Sequence, residues 1–225
     1  MHPSPELANW RPRLAALAAD AAGNDNDGAH DASHLERVWR SAQTLLAHHP
    51  EADALVVLAA CYLHDLVNLP KDDPERSQAS TRSAQLACAR LTGLGFPHER
   101  LDGVAHAIAA HSFSAAIAAT TIEAQIVQDA DRLDALGAVG LARMFYVAGS
   151  MGRALAHPTD PLADARPLDD RAWTLDHVMV KLARLPDMMQ TEAGRALANE
   201  RLGRLLAFRR EFAAEWLAEL PEADA

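Results

Sequence analysis

Cysteine is scarce in this chain, with only Cys61 and Cys88 among 225 residues. Both lie inside apolar stretches, so they read as reduced thiols of a cytoplasmic protein rather than as a disulfide framework. Long hydrophobic runs are missing too. No stretch approaches the roughly 18 uninterrupted apolar residues that a spanning helix requires, so a membrane-spanning helix is not expected. The opening MHPSPELANW lacks the basic and apolar regions of an export signal. Basic residues are outnumbered, 21 against 31 acidic ones, giving a formal net charge of -10. A polyanion partner normally requires a basic surface, so a DNA or RNA backbone is not expected as ligand. A small phosphorylated ligand held through a bound cation stays open, as does homo-oligomerisation. Aromatics make up 5% of the chain, and Trp39, Trp173, Phe145 and Tyr146 read as packing residues rather than a base-stacking platform. No polar linker divides the chain, no internal repeat is present, and low complexity is limited to general alanine richness.

What is present is helical. With 49% hydrophobic residues the chain can bury one substantial core, and the expectation is an all-α bundle forming a single domain over residues 1–225. A first helix is expected over Asn9–Ala22, followed by a loop in GNDNDGAHDA. In SHLERVWRSAQTLL, the residues Leu35, Val38, Trp39, Ala42, Leu45 and Leu46 recur at helical spacing, and Ser33 with Glu36 has the pattern of a capping box. The stretch Glu51–Leu66 is apolar nearly all round, as befits a helix at the centre of a bundle. Further helices are expected near Thr81–Leu91, His98–His111, Thr121–Met144, Asp170–Met189 and Glu192–Leu220. The charged segment KDDPERSQAS and the segment carrying Pro158, Pro161 and Pro167 read as loops.

The polar exceptions carry the chemistry. His64 and Asp65 close the most apolar helix, where an adjacent His and Asp are costly to bury unless paired, hydrogen-bonded or bound to metal. His34 falls in the first turn of the second helix. Asp129, Asp131 and Asp134 share a later one. At 100° per residue, Asp131 and Asp134 lie within about 60° of each other and Asp129 about 160° from Asp131, so the three cannot all face one ion. Helical geometry alone leaves Asp129 and Asp131 open, because both are similarly offset from the apolar stripe of Ile126, Ala130, Leu133 and Leu141. The His-Asp dipeptide alone is also weak evidence, since His30-Asp31 repeats it in the loop before the second helix. His30 is accordingly a rival to His34, and Asp31 a candidate to orient the His34 ring.

The phrases AHDASHLERV, CYLHDLVNL and IVQDADRLDAL resemble the HD-domain superfamily of metal-dependent phosphohydrolases, whose ligands are a His, an adjacent His-Asp and a distant Asp, all on helices. The resemblance covers about Gly28–Arg143 and is nearest to small bacterial-type hydrolases. It implies an HD-type helical bundle, with helices at about 170–220 packing on the motif core. It also implies His34, His64, Asp65 and Asp131 as metal ligands, the last because the superfamily's ligand is the Asp of an Ala-Asp-basic-Leu phrase. Two imidazoles and two carboxylates leave coordination positions open and suit Mn, Fe, Co, Ni or Zn better than Mg. Such an ion lowers the pKa of a bound water and polarises a phosphoryl oxygen. The expected reaction is hydrolysis of a small phosphate ester, with a nucleotide as the expected class, and Asp65 doubling as acceptor for the attacking water.

Around that centre, His111 with Ser112 and Ser114 could meet the phosphoryl group or a second metal, and Arg37 could clamp it. His106 lies about 140° from His111 on their helix, which separates the two. His177 and Lys181 form a basic pair at i and i+4, and Asp134 is expected outside the ligand set or ion-paired with an Arg. A di-iron oxygenase of HD type and a metal-stabilised binding protein without catalysis are the alternatives.

Overall fold

The computed structural model describes residues 4–22, 32–67, 69 and 73–218. The described residues are mostly helical, with no strand beyond one isolated bridge between Ala154 and Trp173. None of their helices is long and apolar enough to cross a membrane. The all-α expectation holds. The chain divides into two compact units, residues 1–131 and 132–225.

The first unit is built on α3 (Ala54–Leu63), in which every residue from Leu55 to Leu63 is buried. Asp53 caps its start by accepting from the Leu55 and Val56 amides at 3.0 and 3.3 Å, satisfying two donors that helical geometry leaves orphaned. Against α3 pack α1 (Pro5–Ala22), α2 (Ala32–Leu46) and α5 (Leu101–His111), while α4 (Ala79–Gly93) pairs with α5. This is the burial that an all-round apolar helix demands. Ser33 lies inside α2, so no capping box forms with Glu36. Glu36 instead turns toward α1 and α3, where its carboxylate accepts from Tyr62 Oη at 2.6 Å and from Arg11.

The helix expected over Thr121–Met144 is two helices, α6 (Ile122–Leu133) and α7 (Gly137–Ser150). The apolar rhythm runs through the break, but the backbone does not: Leu136 is extended and Gly137 has φ +73°, a conformation only glycine adopts without strain. Within the second unit, a Cβ on Gly140 would lie 2.2 Å from the Ala135 carbonyl, so that turn closes only around a glycine.

The second unit also departs from expectation over Asp170–Met189. In place of one helix, the one-turn α8 (His177–Val180) stands among three 3-10 turns, the last of which (Pro186–Met188) opens on a proline that lacks the amide a continuing helix would use. Asp176 is fully buried and held there by a bidentate pair with Arg166 at 2.6 and 2.8 Å. Thr191 caps the long α9 (Glu192–Trp216) through the Gly194 amide at 2.9 Å. Phe145 packs against Phe208 and Phe212, and in the first unit Trp39 is buried, as packing residues should be. Tyr146 is not one of them: its side chain is 54% exposed.

Candidate metal centre

His64 is the residue at which α3 ends. The last carbonyls of a helix lack amide partners, and His64 Nδ1 lies 3.0 Å from the Cys61 oxygen. A carbonyl only accepts, so Nδ1 carries the proton and Nε2 presents its lone pair on the other side of the ring. His111 repeats the device at the end of α5, with Nδ1 donating to the Ile108 oxygen at 2.6 Å. Two helix C-termini thus orient two imidazoles with their Nε2 atoms outward.

These atoms converge with three others. His34 Nε2 lies 3.3 Å from His64 Nε2 and 3.5 Å from Asp131 Oδ1, and His64 Nε2 lies 3.8 Å from the same oxygen. Asp65 Oδ2 is 3.5 Å from His64 Nε2, and its Oδ1 is 3.6 Å from His111 Nε2. The donors form two overlapping trios, His34-His64-Asp131 and His64-Asp65-His111, sharing His64. Donors bonded at about 2.1 Å to a tetrahedral ion stand about 3.4 Å apart. The observed spacing therefore fits a divalent cation, and the donor chemistry of imidazole nitrogen and carboxylate oxygen suits one.

The electrostatics point the same way. Burial depresses the pKa of His64, outweighing the neighbouring carboxylates, and keeps the ring neutral as a ligand must be. Burial opposes charge on Asp65, but His64 and His111 beside it more than offset that and hold the carboxyl well below the usual range. His111 is raised: burial lowers it, and the hydrogen bond and charge of Asp65 overcome that loss. Burial pushes the Cys61 thiol up, with Asp131 adding to the effect, which leaves that sulfur a protonated core residue rather than a ligand.

Of the expected site residues, His34, His64, Asp65, Asp131 and His111 are brought together. Asp129, which helix geometry left level with Asp131, is fully buried and belongs to neither trio. Arg37 bonds Ser33 Oγ one turn back, at 2.6 Å. His106 belongs to neither trio either; its Nε2 accepts from the Thr120 amide at 3.1 Å, tying α5 to the loop before α6. In the second unit, Asp134 pairs with Arg143, and His177 Nδ1 lies 2.7 Å from Asp170. His30 and Asp31 fall outside the described residues. Ser112 and Ser114 line a cavity together with Asp65 and His111. Arg76 and Ser80 line it as well, and neither stood out in a charged segment that read simply as loop.

The HD domain family matches residues 31–136, which include all five converging side chains. YpgQ of Bacillus subtilis, an uncharacterized protein, is 36% identical over 191 residues, covering 83% of this chain and 84% of that one. The chain belongs to the HD-domain superfamily. Solved structures agree along nearly the full length. YpgQ in complex with ADP superposes with a TM-score of 0.70 at 30% identity, over 97% of this chain and 99% of that chain. An HD-superfamily hydrolase from Bacillus thuringiensis does so with a TM-score of 0.73 at 29% identity, over 95% of this chain and 100% of that chain. The His, His-Asp and Asp phrases lie within the matched residues, on α2, at the end of α3 and on α6.

Proposed function

We propose that this HD-domain protein is a metal-dependent phosphohydrolase that cleaves a small phosphate ester, with a nucleotide as its substrate class. The observation that carries the reading is the convergence of His34, His64, Asp65 and Asp131, with His111 beside them, at spacings that fit a divalent ion. The similarity to an HD-superfamily hydrolase supports hydrolysis. ADP in the YpgQ complex supports a nucleotide, since the two proteins share their fold over nearly the whole chain.

A divalent ion in this set supplies Lewis acidity toward a phosphoryl oxygen and a water made acidic enough to attack near neutral pH. The chain's own residues orient and hold. The Cys61 and Ile108 carbonyls fix the tautomers of His64 and His111. Asp65, ionised between these two rings, is the acceptor that positions the attacking water. Arg37, on the same helix as His34, is assigned to the phosphate as a charge-assisted donor.

The test combines metal analysis of purified protein with a screen of phosphate monoesters, nucleotides and cyclic nucleotides, after loading Mn, Fe, Co, Ni or Zn in turn. Turnover restored by loading and lost in Asp65→Ala is the expected result. Protein that holds no metal and gains no activity on loading defeats the enzymatic reading. The second trio gives a dinuclear alternative its footing, because His111 could ligate a second ion, as an oxygen-dependent di-iron chemistry would require. Assay without oxygen separates the two: hydrolysis persists, whereas oxidation stops.

A further inference from the structure

Beside the metal centre lies a cavity of about 50 Å³, walled by Asp65, Arg76, Ser80, His111, Ser112 and Ser114. One water needs about 10–15 Å³ of such space, so the cavity holds about three to five water-sized atoms. That is the size of one phosphoryl group and too small for a nucleoside. Its wall offers donors in excess. Arg76 is half-buried and gives one bond to the Leu69 carbonyl; the remainder of its five-donor fork has no acceptor among the described residues. Ser112 and Ser114 share one hydrogen bond at 3.0 Å, leaving one of their two hydroxyl protons to give. Ser80 contributes no donor, since its hydroxyl is spent on the Ala109 carbonyl at 3.0 Å.

Among the described residues, the one carboxylate on the wall is Asp65. Its negative charge repels an anion until a divalent cation sits against it, so the pocket accepts an anion only in the metal-loaded protein. We infer that Arg76, with Ser112 and Ser114, forms a phosphate-binding subsite that holds a phosphate group of the substrate beside the metal. This rests on the proposed metal-dependent phosphohydrolase reading and adds to Arg37 a second cation that grips the phosphate. A half-buried guanidinium aimed at a phosphate-sized space is suited to the task, because its planar fork meets two phosphate oxygens at once.

Calorimetric titration tests the subsite in two steps. Mn(II) is first titrated into metal-free wild type, Arg76→Gln and Arg76→Lys; inorganic phosphate, ADP and adenosine are then titrated into each metal-loaded protein. Arg76 touches none of the converging donors, so all three proteins bind Mn(II) alike. Metal-loaded wild type binds phosphate and ADP but not adenosine, and binds neither anion after chelation. Arg76→Gln weakens anion binding about ten- to hundredfold, the value of a charge-assisted hydrogen bond. Arg76→Lys, which keeps the charge but not the fork, falls between. A loss confined to ADP places the esterified phosphate at Arg76, and one confined to inorganic phosphate places the released product there. Unchanged phosphate and ADP affinity in metal-loaded Arg76→Gln overturns the subsite while leaving the metal centre standing. Failure of wild type to bind any metal overturns the underlying reading, and the subsite with it.

Discussion

His64 belongs to both donor trios, whereas each of the other four side chains belongs to one. Removing it should therefore cost more metal binding than any other single change. A ligand present at 100 times its dissociation constant stabilises a fold by about 2.7 kcal/mol. For a chain of this size each kcal/mol raises Tm by roughly 2–4 °C, so metal-loaded wild type should melt about 5–10 °C above the metal-free protein. His64→Ala should lose that increment entirely. Asp131→Asn and His34→Ala disable one trio and His111→Ala the other, so each should keep part of it. Asp129→Asn changes a buried carboxylate outside both trios, and its metal-dependent increment should match wild type whatever its absolute Tm. Scanning calorimetry with and without Mn(II) measures the increment directly, and using the difference removes the packing cost of losing a fully buried imidazole. The reasoning is refuted by a His64→Ala protein that keeps the wild-type increment, or by an increment lost in Asp129→Asn and kept in Asp131→Asn.

The remaining predictions concern stability. Replacing Gly140 by Ala should destabilise the second unit by more than about 2 kcal/mol, because its Cβ would fall 2.2 Å from backbone atoms that cannot move independently; a denaturation midpoint near wild type would show that the turn adapts. Arg166→Met leaves the fully buried Asp176 carboxylate without its guanidinium partner and should cost about 3–5 kcal/mol, read from urea melts. The double variant Arg166→Met with Asp176→Leu should recover much of that loss, since the penalty is an unpaired buried charge. Burial raises the Glu36 carboxyl, but the hydrogen bonds from Tyr62 and Arg11 outweigh it and hold the group below its ordinary value of 4.5. Its contribution is therefore full above pH 4.5 and fades as pH falls through the folded value. Glu36→Gln should lose about 1–2 kcal/mol at pH 7 and show a flatter acid limb in stability-versus-pH curves; an unchanged acid limb would remove Glu36 as a source of that slope.

Much of the architecture is visible in the sequence because helices are local objects. The all-round apolar stretch ending at His64-Asp65 reads as a central helix, and every residue from Leu55 to Leu63 is indeed buried. The long α9 is likewise expected from its amphipathic pattern, while the Asp53 cap of α3 is seen only in the structure. The misreadings share a cause. Apolar spacing continues through Asp134–Leu136, so the break between α6 and α7 is invisible to periodicity and is made by the backbone angles at Leu136 and Gly137. Ser33 and Glu36 have the spacing of a capping box, yet Glu36 finds Tyr62 and Arg11, partners 26 and 25 residues away in the chain.

The same division runs through the site. Residue types and their helical placement, properties of short segments, single out His64, Asp65, His34 with His30 as its rival, and the Asp129–Asp131 pair as candidates, and the resemblance to the HD family implies the ligand set. The resemblance also prefers Asp131 to Asp129, which helical geometry leaves level; placing Asp131 against His34, His111 beside Asp65, and Arg76 with two serines around one cavity is the work of packing. A side chain's direction in space depends on how α2, α5 and α6 lie against α3. No local rule carries that information, because the groups that meet are separated by tens of residues and are aligned only when the apolar faces of their helices are buried together.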